Sequence, residues 1–206
     1  MVKIAIDIDG VLADFNGHWV RTYEHWFGVK LDPEAANSWT AFLDHTHFGG
    51  EDEFWRWTDA VPGFWENMPL LPGAAGGAYR LLAHGHQVEL VTNRHDRVRA
   101  ATDAWARRHL PKHWRPVIHF VKGDKSVVPA QLYVDDRPSI LEGLRSKGLR
   151  AIRFEQPWNA DVKGDADWKA RDWAGVLKIV ARESGVLVGQ RTVFDLLGTD
   201  PVGVAS

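Results

Sequence analysis

Val2-Lys3-Ile4-Ala5-Ile6-Asp7-Ile8-Asp9-Gly10-Val11-Leu12-Ala13-Asp14-Phe15 opens the chain. An apolar, β-prone run leads straight into two carboxylates spaced two residues apart, and a glycine follows. In an extended chain, residues i and i+2 face the same way. Asp7 and Asp9 are therefore expected side by side at the carboxyl end of a strand over residues 2–8. Open α/β sheets bind their ligands at such strand ends. Carboxylates that close repel each other unless a cation or a shared proton relieves them. The pair marks a candidate Mg²⁺ site and a candidate carboxylate nucleophile.

The rest of the composition narrows the class. The 206 residues suit one domain, or one domain with a sizeable insert. A hydrophobic share of 45% and a charged share of 25% are ordinary for a soluble globular protein. A net charge of −2 offers no basis for gripping duplex nucleic acid or a membrane surface, though a single nucleotide is still accommodated. Cysteine is absent, which excludes disulfides and thiolate metal sites and fits a reducing cytoplasm. No apolar run approaches the roughly 20 residues that span a bilayer. One lysine followed almost at once by acids does not read as a signal peptide. Nothing in the composition excludes a homodimer. The unusual figure is 11 tryptophans, whose indole N–H groups want partners when buried. So many suggest an aromatic-lined cavity as well as a core.

Outward from the opening strand, the pattern alternates. Apolar residues recur at helical spacing from Phe15 to Phe27, and Gly28 is a stop. From about 29 to 68 the chain is Trp-rich and broken by Pro33, Gly49-Gly50 and Pro62-Gly63. A short helix over 51–60 is expected there, in a small helical insert outside the sheet. Pro72-Gly73 opens a helix to about residue 84. A strand over 87–91 runs into Thr92-Asn93-Arg94. A helix over 96–109 is expected, capped by Asp96. Strands follow over 117–121 and over 131–134, the latter ending in Asp135-Asp136. Pro138 starts a helix to about 147, and 151–154 is expected as the last strand. Residues 169–183 read as one amphipathic helix. A short helix over 192–197 fits the tail. The rhythm predicts a Rossmann-like α/β fold, a parallel sheet flanked by helices.

Three strand ends thus carry Asp7 and Asp9, Thr92-Asn93-Arg94, and Asp135-Asp136, and a parallel sheet brings them to one rim. Lys125 follows a further strand in Lys122-Gly123-Asp124-Lys125-Ser126. Carboxylates, a hydroxyl, a backbone-rich turn and a cation suit phosphoryl transfer, which needs an in-line nucleophile, a metal and charge-neutralising donors.

The same residues resemble, in order, the four motifs of haloacid-dehalogenase-like phosphatases: Asp-Ile-Asp-Gly-Val-Leu-Ala-Asp-Phe, Thr-Asn-Arg, Gly-Asp-Lys-Ser and Tyr-Val-Asp-Asp-Arg-Pro. With Met-Pro-Leu-Leu-Pro-Gly-Ala and Phe-Glu-Gln-Pro-Trp-Asn, the chain resembles their 5′(3′)-deoxyribonucleotidase branch over about residues 2–160. The resemblance implies a haloacid-dehalogenase-like core from 1–15 and 72–183, a helical cap over 16–71, and a tail over 184–206 without assigned role. It implies Asp7 as nucleophile through an aspartyl-phosphate, and Asp9 as acid and then base. Mg²⁺ would be held by Asp7, the backbone carbonyl of Asp9, and Asp136, with Asp135 placed behind them, although the sequence alone does not order that pair. Thr92, with the backbone of Asn93, would bind phosphoryl oxygens, and Lys125 would neutralise the phosphate and Asp7. Phe15 carries over by motif to the cap side, and Trp39, Trp55, Trp57 and Trp65, which the motif does not align, are candidates to line it with aromatic faces that can stack on a nucleobase. The implied substrate is a small phosphate ester, foremost a nucleoside monophosphate, with a sugar phosphate as the alternative. A catalytically silent binding module is the reading from another class, and the intact motif set speaks against it.

Blander readings stand beside several residues. Arg94 and Arg137 either reach phosphate or pair with neighbouring carboxylates, and Lys122 rivals Lys125. His45 and His47, His84 and His86, and His109 and His113 have metal-like spacing without a third ligand nearby. Trp19, Trp26, Trp105 and Trp173 fall at helical spacing and are expected in the core.

Overall fold

The computed structural model describes residues 1–32, 37–38 and 40–185. Trp39 and the helix expected over 192–197 lie outside them. Six strands form one sheet: β1 (Lys3–Ile6), β2 (Gln87–Thr92), β3 (Ile118–Phe120), β4 (Leu132–Asp135), β5 (Ala151–Phe154) and β6 (Trp168–Ala170). Their order is β3-β2-β1-β4-β5-β6, and every neighbouring pair is parallel. Consecutive strands run outward from β1 to β3, and the chain then returns to place β4 on the other side of β1. That reversal leaves a crevice between the ends of β1 and β4, where α/β sheets bind ligands.

Alternation along the strands divides the core. Ile4, Ile6, Leu90, Leu132, Val134 and Ile152 face one way and pack with α4 (Ala74–Ala83) and α7 (Trp173–Glu183). Ala5, Val91, Tyr133 and Ala151 face the other way, under Ile140, Leu141 and Leu144 of α6 (Pro138–Ser146). Each buried Ile, Leu or Val side chain among them contributes about 1.5–3 kcal/mol. Between β1 and α4 lie α1 (Phe15–Phe27), α2 (Ala41–Asp44) and α3 (Glu51–Ala60). Asp14 starts α1 by accepting the Gly17 N–H, and Gly28 ends it in the left-handed region at φ 66°. Phe42, Phe48, Phe54 and Phe64 of this segment belong to the same continuous apolar cluster as the sheet. The remaining long helix is α5 (Arg99–His109).

Several expectations change. The first strand stops at Ile6 because the chain closes a tight turn, with Leu12 and Ala13 N–H both donating to Ile8 O. The third strand spans Ile118–Phe120 rather than five residues. Residues 151–154 do not form the last strand: Trp168–Ala170 pairs with β5 as an edge, and the final helix starts only at Trp173, capped by Asp172. Asp96 caps nothing, because a 3₁₀ turn (Asp96–Val98) precedes α5 and the Asp96 carboxylate takes Arg99 instead. Trp26 is also no core residue. It is 52% exposed on α1, whereas Trp19, Trp105 and Trp173 are buried as expected.

Candidate active site

The rim assembles from the ends of β1, β2 and β4 and the loop after β3. Beyond Ile6 the main chain is still pinned to the sheet, Asp7 N–H donating to Val134 O at 2.9 Å. The turn that follows sends the two expected neighbours to different cations. Asp7 Oδ1 accepts from the Ile8 N–H at 2.8 Å and meets Lys125 Nζ at 2.8 Å. Asp9 instead receives a two-pronged bond from Arg94, Nε to Oδ2 at 2.8 Å and Nη2 to Oδ1 at 2.6 Å. Such forks are the strongest charge-assisted pairs. Arg94 thus pairs with a carboxylate, its second sequence reading.

Lys125 is buried and bridges Asp7 and Asp135, with Nζ to Asp135 Oδ2 at 2.7 Å. Asn93 braces the start of the lysine's loop, its amide donating to Val121 O and Gly123 O. Lys122 is exposed. Burial alone would lower the Lys125 ammonium, but Asp135 and Asp7 outweigh it and hold it protonated above the usual lysine value. Asp135 has both oxygens occupied, Oδ2 by Lys125 and Oδ1 by the Arg137 N–H at 2.9 Å. Asp136 differs. Its Oδ2 accepts from Trp158 Nε1 at 2.9 Å, while Oδ1 is buried without a hydrogen-bond partner.

Among the described residues, one group of three ligating side chains gathers: Asp7, Asp135 and Asp136, with oxygens within 4.8 Å of one another. The histidine pairs supply no such group. His47 bonds Tyr23 and His109 bonds the Glu66 carbonyl. Burial pushes the Asp7 carboxyl up to about 7 against the pull of Lys125, and the charges of Asp135 and Asp9 add to the rise. Burial, then Asp135 and Asp7, pushes Asp136 well above the carboxylate range. The cluster sets three carboxylates against the one ammonium of Lys125 and is short of positive charge. A hard divalent cation fits that deficit, the all-oxygen donor set and the orphaned Asp136 Oδ1.

Above the rim is a cavity of about 770 Å³. Asp7, Asp9, Thr92, Asn93, Arg94, Asp136 and Arg137 line its floor, and Phe15, Trp55 and Trp65 its walls. Thr92, buried at the end of β2, accepts the Arg94 N–H on Oγ1 at 3.1 Å, so its own proton can donate into the cavity. Phe15 stacks on Trp65, centroids 6.1 Å apart. Trp57 is not in the wall; it packs among Tyr23, Phe27, Phe48 and Phe54. Sequence reasoning left out Phe42, Arg56, His95, Arg97 and Trp158, which also reach the cavity. Trp158 was legible only as part of Phe-Glu-Gln-Pro-Trp-Asn, which carries no side-chain signal of its own.

A parallel sheet that gathers these carboxylates, a threonine and a bridging lysine on one rim defines a haloacid-dehalogenase-like hydrolase. Residues 1–184 match the family described as "5′ nucleotidase, deoxy (Pyrimidine), cytosolic type C protein", and the chain belongs to that family of phosphomonoester hydrolases. Two bacterial relatives are each described as "Putative 5′(3′)-deoxyribonucleotidase". The one from Chlorobaculum tepidum is 26% identical over 187 residues, 87% of this chain and 90% of that protein. The one from Bordetella pertussis is 29% identical over 182 residues, 84% and 94% of the two chains. Among solved structures, a haloacid-dehalogenase-like protein from Agrobacterium tumefaciens superposes with a TM-score of 0.62 at 13% identity, covering 88% of this chain and 98% of that one. CbbY from Rhodobacter sphaeroides gives 0.55 at 17% identity, covering 85% and 96%. These structural likenesses concern the fold. No helix among the described residues is long and apolar enough to cross a membrane.

Proposed function

We propose that this chain is a Mg²⁺-dependent phosphatase of deoxyribonucleoside or ribonucleoside monophosphates, working through an aspartyl-phosphate on Asp7. The observation that carries the reading is the floor of the cavity. A buried Lys125 bridges Asp7 and Asp135, and the neighbouring Asp136 keeps one buried oxygen unpartnered, beneath walls of Phe15, Trp55 and Trp65.

Asp7, Asp136 and the Asp9 carbonyl would hold the cation, with Asp135 behind them on Lys125. When bound, Mg²⁺ supplies charge that offsets the phosphoryl oxygens. An Asp7 oxygen attacks phosphorus as the bond to the nucleoside oxygen breaks, and Asp9, after one of its oxygens leaves Arg94 and takes up a proton, gives that proton to the nucleoside oxygen. Asp9 then takes a proton from the water that attacks the aspartyl-phosphate, releasing inorganic phosphate and restoring Asp7. Thr92 donates to the phosphoryl oxygens, and Lys125 balances the charge on Asp7. Residues 16–71 act as a cap over a core of 1–15 and 72–183, and the aromatic wall takes the base and excludes water. The description of the family as cytosolic and the lack of cysteine support a cytoplasmic location.

Phosphate release across nucleoside monophosphates and sugar phosphates tests the reading. Turnover of nucleotides well above sugar phosphates is expected. Asp7→Asn should abolish it, and Asp9→Asn should lower kcat by about 10²–10⁴-fold. Turnover confined to sugar phosphates would refute the substrate class, and an active Asp7→Asn would refute the mechanism.

A further inference from the structure

We propose that Trp158 is a positioning residue for the cation site, and that the turn carrying it is a strap joining that site to the first catalytic turn. The inference rests on the cation reading given above. The turn follows β5 and is a single 3₁₀ turn, Pro157–Asn159. It is self-locked, since the Gln156 N–H donates to Asn159 Oδ1 at 3.0 Å and the Asn159 N–H to Gln156 O at 3.1 Å.

From this turn, three side chains reach across two strands. Gln156 Nε2 donates to Gly10 O at 2.6 Å, in the turn after Asp9. Buried Asn159 donates to the Asp136 carbonyl at 2.7 Å and to Phe154 O at 3.0 Å. Trp158 Nε1 donates to Asp136 Oδ2. Main chain and side chain of Asp136 are thus both fixed from one place. Gly10 completes the arrangement: a Cβ there, at φ +74°, would stand 2.2 Å from Asp136 Oδ2 and 3.2 Å from the Trp158 ring. The absent side chain is what lets indole and carboxylate meet.

The choice of donor matters. Asp135 is bonded by an ammonium that it shares with Asp7, which offsets part of its charge. An indole N–H is neutral, so it orients Asp136 without cancelling the charge that a cation needs. It also occupies Oδ2, and so selects Oδ1 as the oxygen presented to the metal. Partners that orient a ligand from outside in this way are typically worth about 10–100-fold in metal affinity.

Trp158→Phe keeps the ring and removes only the donor. Mg²⁺ titration by calorimetry, without substrate, should give a Kd raised about 10–100-fold. The melting temperature of the metal-free protein should hardly move, and kcat should recover at saturating Mg²⁺. Trp158→His, which restores an N–H donor, should recover much of the affinity. Trp158→Phe with wild-type Kd overturns the assignment, as does loss of stability matched by an unchanged Kd. A wild-type protein that binds no Mg²⁺ overturns the cation reading as well, and Asp136→Asn marks that limit. Should Trp158→Phe not fold, the wild-type protein decides. Its indole ¹H–¹⁵N resonance nearest Gly10 should shift as Mg²⁺ is added, and a resonance that stays put overturns the proposal.

Discussion

Arg94 ties together two groups that the chemistry needs in register. Its main-chain N–H bonds Thr92, and its guanidinium forks onto Asp9. The guanidinium cannot swing elsewhere. Nη1 donates to Thr102 at 3.1 Å, and the plane lies 4.9 Å from the Trp65 ring centroid and 5.6 Å from that of Trp105. Its side chain is 1% exposed, against 27% for Asp9, so the arginine is the fixed partner and the carboxylate the one that is held. Arg94→Met should therefore lower kcat roughly 10–100-fold while KM changes little, because a misplaced acid loses rate rather than binding. Arg94→Lys keeps the charge but not the fork and should stay low. A large rise in KM, or in the inhibition constant of inorganic phosphate, would mark a phosphate contact instead. The sequence could not choose between those two roles, since Arg94 and Asp9 lie 85 residues apart and only the fold brings them together. Asp7, Thr92, Lys125 and Asp136 were legible because each sits at or just beyond a strand end, and a parallel sheet converges its ends. The order of Asp135 and Asp136 was not legible, because it depends on which of two adjacent carboxylates meets Lys125.

At the scale of elements, α7 is fastened to the catalytic turn through one ring. Trp173 Nε1 donates to Val11 O at 3.0 Å, and the ring lies against α4 where Gly77 has no side chain. A Cβ at Gly77 would stand 2.2 Å from Trp173 Cε3, whereas one at the adjacent Gly76 would meet nothing within 4 Å. Gly77→Ala should cost about 1–3 kcal/mol by overpacking. In a chain of this size each kcal/mol lowers the melting temperature by roughly 2–4 °C. Gly76→Ala should do the opposite and gain up to about 1 kcal/mol from helix propensity. Two thermal melts check the pair, and equal shifts of one sign would contradict the packing account. Elements were legible where the period was long enough to declare itself, as in α1, α3, α4 and α6. The edge strand β6 was not, since three residues cannot establish an alternation and its strand character comes from pairing with β5. Trp26 failed for a related reason. It fits the helical period of α1, yet the aromatic cluster closes over Tyr23 and leaves it outside.

Across the whole molecule, the segment after α3 is gripped from both sides by histidines. His18 on α1 bonds the Phe64 carbonyl at 2.9 Å, and His109 on α5 bonds the Glu66 carbonyl at 3.2 Å. Trp105 adds a bond to Met68 O at 2.8 Å, and Arg108 one to Asn67. The apolar cluster that runs from sheet to aromatic wall is therefore closed by polar stitches, two of which titrate. Burial lowers both histidines from the ordinary 6.5, outweighing the carbonyl bonds that favour the proton. The sign follows directly. As pH falls through 6.5 the unfolded chain binds these protons first, so protonation draws the protein toward unfolding and stability declines toward acid. The buried Asp7 and Asp136 carboxyls, raised rather than lowered, work in the opposite direction, so the total curve does not isolate the histidines. A difference does. His18→Gln with His109→Gln keeps an N–H donor at each position and removes the titration, while the site carboxylates cancel between the two proteins. Melting temperatures at pH 7.5 and 5.5 should show the double variant gaining on the wild type as the medium becomes more acidic. A difference that stays constant, or a wild type that gains on the variant toward acid, would mean that the histidines are not held neutral by the fold.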